Sequence, residues 1–306
     1  MSVSMSGTVL ADDLFAADGT LIASRGAIVD LPYLKEVATR SRRGGRERPL
    51  HETPLAEAVL EAFEEPALAH LVGTDEARAC VADAISEVRF PQAVWDELEL
   101  LRREDASRYQ HAVWTSLVAA RLFRAALGDA PGLSRLAGGA LVHDIGMRHA
   151  AARLRSKRDH LTRAEARALE DHPLIGALTL ASSLGDAPAV HFALLHHTRA
   201  GLGYPRVAGR PPLRGLDLVA VSSAFAALLA PRPWRQQPFN PRGAADQLLD
   251  EALAGHFDVR AVRLLIHGLR GARGAFEELQ LPQQRTGFRP PRNHHGVAPV
   301  EAASAC

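Results

Sequence analysis

Apolar residues recur along most of this chain at the three-to-four-residue spacing of helices that bury one face, and the alternation expected of strands is confined to its start. Between Gly7 and Val29 the pattern predicts two short strands, TVLADDLFA and TLIASRGAIV, joined at Asp18-Gly19, where Gly supplies the positive φ of a tight turn. A short helix, LPYLKEVATR, follows. Leu55, Val59, Leu60 and Phe63, then Val81, Ile85 and Val88, mark further helices, with a cap at Gly73-Thr74-Asp75. Pro91 can open the helix AVWDELELLRRE, because a first-turn N–H has no intrahelical partner to lose, and that helix runs into or beside the one carrying His111. A helix from Leu133 to Met147 delivers His143 and Asp144 near its end. Thr162 and Glu165 form a capping box opening the helix that carries His172. AVHFALLHH presents His196 and His197, and DLVAVSSAFAALLA is apolar nearly all round, so it belongs in the core. Helices over 243–254 and 258–269 complete the bundle. Beyond Leu281 the Pro-rich, aperiodic segment predicts disorder. The expected organisation is a mainly α protein: a small α+β module at 1–50, a helical linker region at 51–104, a helical domain at 105–281 and a tail at 282–306.

With 306 residues the chain can bury a sizeable core. A net charge of +1 gives no argument for nucleic acid or a membrane surface. The Arg-rich run Arg40–Arg48 is a local exception and reads as a solvated loop. Two cysteines, Cys80 and Cys306, make no disulfide framework, and Cys80 reads as a small core residue. No apolar stretch approaches the roughly 20 residues of a membrane span, and the N-terminus lacks a signal peptide's basic start and apolar centre. A cytoplasmic location is expected.

The candidate chemistry lies in the order and spacing of a histidine set: His111, His143-Asp144-Ile145-Gly146, His172-Pro173, His196-His197 and Gly203-Tyr204-Pro205. Imidazoles bind first-row transition metals well, and one carboxylate can bridge two ions through its two oxygens. With Lys157, Leu161-Thr162, Phe225 and Arg232-Pro233-Trp234-Arg235, the set resembles the HD-GYP branch of the HD phosphohydrolase superfamily over about residues 105–269. Several positions depart from the family pattern. Met147 stands where the family has Lys after HDIG, and Thr198 where it has Glu after the paired His. The following loop is one residue short beside Ala200, and Ser223 and Ala226 replace two Asp residues of a later helix. The mismatch at Ser223 matters most, because a neutral hydroxyl is a much poorer metal ligand than a carboxylate.

What the resemblance implies is an HD-type helical bundle holding divalent transition metal, Fe or Mn. One site would take His111, His143 and Asp144 with Ser223 in place of an acidic ligand, and the other Asp144, His172, His196 and His197. The expected result is one strong site and a second that is weak or absent. His143 and Asp144 would be the catalytic pair; Arg232, Arg235 and Tyr204 would meet phosphate and base. The implied function is bacterial cyclic di-GMP signalling with weakened phosphodiesterase activity. The alternatives are a catalytically inactive regulatory protein that binds the dinucleotide or a signalling partner, and a hydrolase for another phosphate ester. Arg232 and Arg235 could instead cap a helix C-terminus, where positive charge is favourable. Lys157 reads as a loop residue, and His149, His160, His191, His256 and His267 as surface or satisfied core residues.

Overall fold

The computed structural model describes the chain except residues 1–3, 6, 42–45, 73–74, 129–131, 150–153, 155–156, 158–160, 200–201, 209–212, 272–273 and 292–306. The central Arg-rich run, the Gly73-Thr74 cap, His160, the shortened loop at Ala200 and Gly201, Cys306 and the tail pair His294-His295 therefore lie outside the described residues.

The opening module contains four short strands rather than two: β2 (Thr8–Val9), β3 (Leu14–Phe15), β4 (Leu21–Ala23) and β5 (Ile28–Val29), after β1 (Ser4–Met5). They still make one antiparallel hairpin in outline, because β3 pairs with β4 inside the β2–β5 ladder. Gly19 takes φ 80° at its tip, and the Asp18 carboxylate accepts from Thr20 N at 2.9 Å. Asp30 caps α1 (Leu31–Arg40).

The remainder is helical: α2 (Ala56–Glu61), α3 (Ala69–Val72), α4 (Asp75–Ser86), α5 (Gln92–Glu104), α6 (Ala106–Leu127), α7 (Leu133–Leu141), α8 (Arg163–Glu170), α9 (His172–Leu184), α10 (Pro188–Leu195), α11 (Leu216–Leu229), α12 (Pro241–Leu253) and α13 (Val259–Leu269). Short ladders join β6 (Arg48–Pro49) to β7 (Arg89–Phe90), β8 (Thr198–Arg199) to β9 (Leu202–Gly203), and β1 to β10 (Val207–Ala208). The mainly α expectation holds. Helix α6 is the central element, buried along most of its length between α7 and α11, with Leu117, Val118, Ala119, Ala120 and Phe123 fully enclosed.

Three local expectations need correction. The helix read to Met147 stops at Leu141, and His143 and Asp144 sit in a turn before a 3-10 segment at Ile145–Arg148. Cys80 is half-buried rather than enclosed. Residues 282–291 are held rather than disordered: Arg285 and Arg289 each donate to Asp250 at 2.8 Å, and Gly287 N donates to Asp246 at 2.9 Å. These bonds take the place of a periodic apolar pattern, which is why hydropathy alone misses the segment.

Candidate metal centre

Four segments converge on Asp144. His111 comes from the second turn of α6, whose start is fixed by Asp105 accepting from Arg108 N at 3.1 Å. His143 and Asp144 come from the turn after α7. His172 opens α9, and His196 and His197 follow α10. Gly146 lets the turn approach α9 at backbone distance, since a Cβ there would run into the His172 carbonyl and Gly176 N. That contact sets Asp144 beside His172.

Backbone carbonyls fix the imidazole tautomers. A carbonyl only accepts, so His143 Nδ1 donates to Ala140 O (2.7 Å), His172 Nδ1 to Leu169 O (2.5 Å) and His196 Nδ1 to Ala193 O (2.9 Å). Each ring then presents an Nε2 lone pair to the centre, the arrangement that orients a metal-binding histidine. Around Asp144, Oδ1 lies 3.0 Å from His172 Nε2 and 3.8 Å from His196 Nε2, and Oδ2 lies 3.8 Å from His111 Nε2. The Nε2 atoms of His172 and His196 are 3.3 Å apart. Despite its proximity to His172, Oδ1 is fully enclosed without an aligned hydrogen-bond donor. Lone pairs crowded around a buried carboxylate oxygen repel one another unless a cation lies among them. The donor set fits a divalent ion.

Two overlapping groups result. Asp144, His172, His196 and His197 form one; His111, His143 and Asp144 form the other, and within each group the ligand atoms lie within 4.8 Å of one another. Among the described residues no further carboxylate joins either group. Ser223 reaches the second: its hydroxyl is 3.0 Å from His143 Nε2 and 3.4 Å from His111 Nε2. The position aligned with the missing acid therefore points into the centre.

Electrostatics favour the ligand forms. Burial holds His111, His143, His196 and His197 below the ordinary histidine range, and Arg232 adds to the effect at His111. Neutral imidazole is the metal-binding state. Burial opposes the Asp144 anion, but the positive charge that His172 and His143 carry whenever either ring takes up a proton, with the permanent charge of Arg108, outweighs it and keeps the carboxyl well below its usual value.

The centre opens into a cavity of about 600 Å³ that also reaches Arg108, Met147, Arg199, Tyr204, Arg232 and Trp234. Tyr204 stacks on His197 with ring centroids 4.7 Å apart, behind a cis Tyr204-Pro205 bond. The two expected phosphate forks, Arg232 and Arg235, differ in their hydrogen-bond partners. Arg232 is 8% exposed, and the described residues offer its guanidinium no hydrogen bond. Arg235 Nη2 instead donates to Ala227, Leu228 and Ala230 carbonyls, capping α11. These bonds are those of the helix-capping alternative, and Arg235 also lines the cavity beside Arg232. Lys157 pairs with Glu165, as suits a loop residue. Thr198, where the resemblance would place a Glu, is buried and donates to Leu195 O at 2.7 Å.

Sequence reasoning missed Arg108, whose Nη1 is 3.7 Å from Asp144 Oδ2. The available signal was its position three residues before His111, on the same helical face.

No protein-family model matches the chain, and neither does any curated protein. Among solved structures it is similar to the HD domain of the L. monocytogenes phosphodiesterase PgpH. For the complex of that domain with cyclic-di-AMP, the TM-score is 0.44 at 16% identity, covering 57% of this chain and 93% of the other. For the domain alone the TM-score is 0.44 at 17% identity, covering 57% and 95%.

Proposed function

We propose that this protein is a metal-binding phosphohydrolase of the HD superfamily and HD-GYP type, which binds a cyclic dinucleotide and hydrolyses it weakly. The observation that carries this reading is Asp144 Oδ1, enclosed without a donor among inward-facing imidazole nitrogens. Asp144, His172, His196 and His197 would hold one divalent ion, Fe or Mn. When bound, it supplies a Lewis acid and a water acidified toward neutral pH. His111, His143 and Ser223 would hold a second ion weakly or not at all, because Ser223 contributes no charge.

The chain's own groups account for binding. Arg232, buried beside the centre, offers a fork that matches phosphate oxygens. Tyr204 supplies an aromatic wall for a base or sugar. Carbonyls behind His143, His172 and His196 keep their tautomers fixed through the reaction. Met147 puts an apolar side chain where the family has a cation. The neutral Ser223 favours a second reading, a regulatory protein that binds the dinucleotide without turnover, or that presents it to a signalling partner.

Calorimetric titration of metal-loaded protein with cyclic di-GMP, beside cyclic di-AMP, tests the proposal when paired with a hydrolysis assay. We expect cyclic di-GMP binding that weakens with salt and falls roughly tenfold or more in Arg232→Ala, together with slow turnover. Binding without turnover would select the regulatory reading. Neither binding nor turnover at millimolar ligand would contradict both.

A further inference from the structure

Arg108 and Arg232 reach the same cavity as Asp144 from opposite ends of the domain's sequence. Arg108 lies one helical turn before His111, with its side chain 21% exposed and Nη1 3.7 Å from Asp144 Oδ2. At that distance the guanidinium faces the carboxylate without being locked onto it. Arg232 is more than nine-tenths buried, and no described residue accepts a hydrogen bond from its guanidinium. The two cations oppose each other: after burial itself, Arg108 is the strongest influence lowering Arg232, which falls to about 9. Four arginines line the cavity, Arg108 and Arg232 with Arg199 and Arg235, against the three carboxylates Asp144, Glu170 and Glu251, so positive charge is in local excess beside imidazoles arranged for a metal ion. Fixed cations held together in a cavity stabilise an anion that enters between them.

We propose that Arg108 and Arg232 form a two-arginine clamp for the phosphate group of a phosphate ester, with Arg108 acting where a second metal ion would otherwise meet the substrate. Asp144 Oδ2 orients Arg108 from one side, and a non-bridging phosphate oxygen takes its free N–H groups on the other. Asp144 Oδ1 remains for the ion held with His172, His196 and His197. This inference rests on the proposed metal centre for its substrate class, but the clamp itself can be measured without the metal.

The test is calorimetric titration of inorganic phosphate into wild type, Arg108→Gln, Arg108→Lys and Arg232→Gln, each metal-loaded and metal-free, with metal content counted and folding checked by circular dichroism. Arg108→Gln should keep the wild-type metal content and lose about tenfold or more in phosphate affinity, with a shallower salt dependence. Arg108→Lys should recover part of that loss, since it restores charge without the planar fork. Unchanged affinity in folded Arg108→Gln overturns the clamp, as does a second ion gained by that variant without loss of phosphate. Wild type that holds its ion but ignores millimolar phosphate also overturns it and leaves the metal centre standing. If wild type holds no ion, the metal-centre reading fails, and the metal-free titrations decide the clamp by the same comparison.

Discussion

Ser223 is the residue on which the chemistry turns. Its hydroxyl already touches the His111 and His143 rings, so a carboxylate on that Cβ would complete the smaller ligand group with a negative charge. Ser223→Asp is expected to raise the metal bound per chain above the wild-type value. The metal-free variant should be less stable, because two buried carboxylates repel and desolvate each other, and metal should restore more stability than in wild type. Equal metal content and equal thermal gain in a folded variant would show that this side chain does not address an ion. The histidine set and Asp144 were legible in the sequence because ligand spacing survives as pattern. Arg235 was not resolved there, since the same guanidinium fork serves a phosphate or a helix C-terminus. Arg108 was missed because an arginine one turn from a histidine is ordinary on a solvated helix face.

Among the elements, the turn after α7 does most to build the site. Apolar spacing continues through Val142, Ile145 and Met147, so the sequence predicts an unbroken helix to that point. What breaks it is a tertiary contact, the approach of Gly146 to the start of α9, which no local propensity encodes. Gly146→Ala should lower stability by about 1–3 kcal/mol through overpacking, and should weaken metal binding by pushing Asp144 away from His172. Chemical denaturation and metal titration of that variant check both effects; wild-type values for both would mean the close approach is not what positions Asp144. The capping box at Thr162 and Glu165 was legible, and it is present, because capping is a local exchange of hydrogen bonds, but the helix it opens ends at Glu170 and His172 begins the next one.

At the scale of the whole molecule, the opening hairpin and the turn that carries Asp144 share one buried carboxylate. Glu97 accepts from Ala17 N at 2.6 Å and from Arg148 Nε at 2.7 Å, and Arg148 lies four residues beyond Asp144. Strand alternation revealed the hairpin, but its docking onto α5 depends on a carboxylate that looks like any surface acid in sequence. The buried imidazoles make the whole fold pH-sensitive when metal is absent. His111, His143, His196 and His197 bind protons less readily in the folded protein than in the unfolded chain, where histidine titrates near about 6.5. Their contribution is therefore intact above that value and is lost as pH falls below it, while the lowered carboxyl of Asp144 acts only in a more acidic window. Thermal unfolding of metal-free protein should show a midpoint that drops more between pH 6.5 and 5 than between pH 8 and 6.5, on the same scale of about 6.5 for free histidine. A midpoint that held or rose on acidification would contradict the buried, neutral cluster.

The most direct test of the central claim is to count the metal ions per chain in anaerobically purified protein, with His172→Ala, His197→Ala and His111→Ala measured alongside. One tightly held ion per chain is expected, lost from the His172 and His197 variants and largely kept by the His111 variant, because the first two belong to the four-residue group and His111 to the group with Ser223. Two ions per chain in wild type, equal loss from all three variants, or no specifically bound metal would contradict the account.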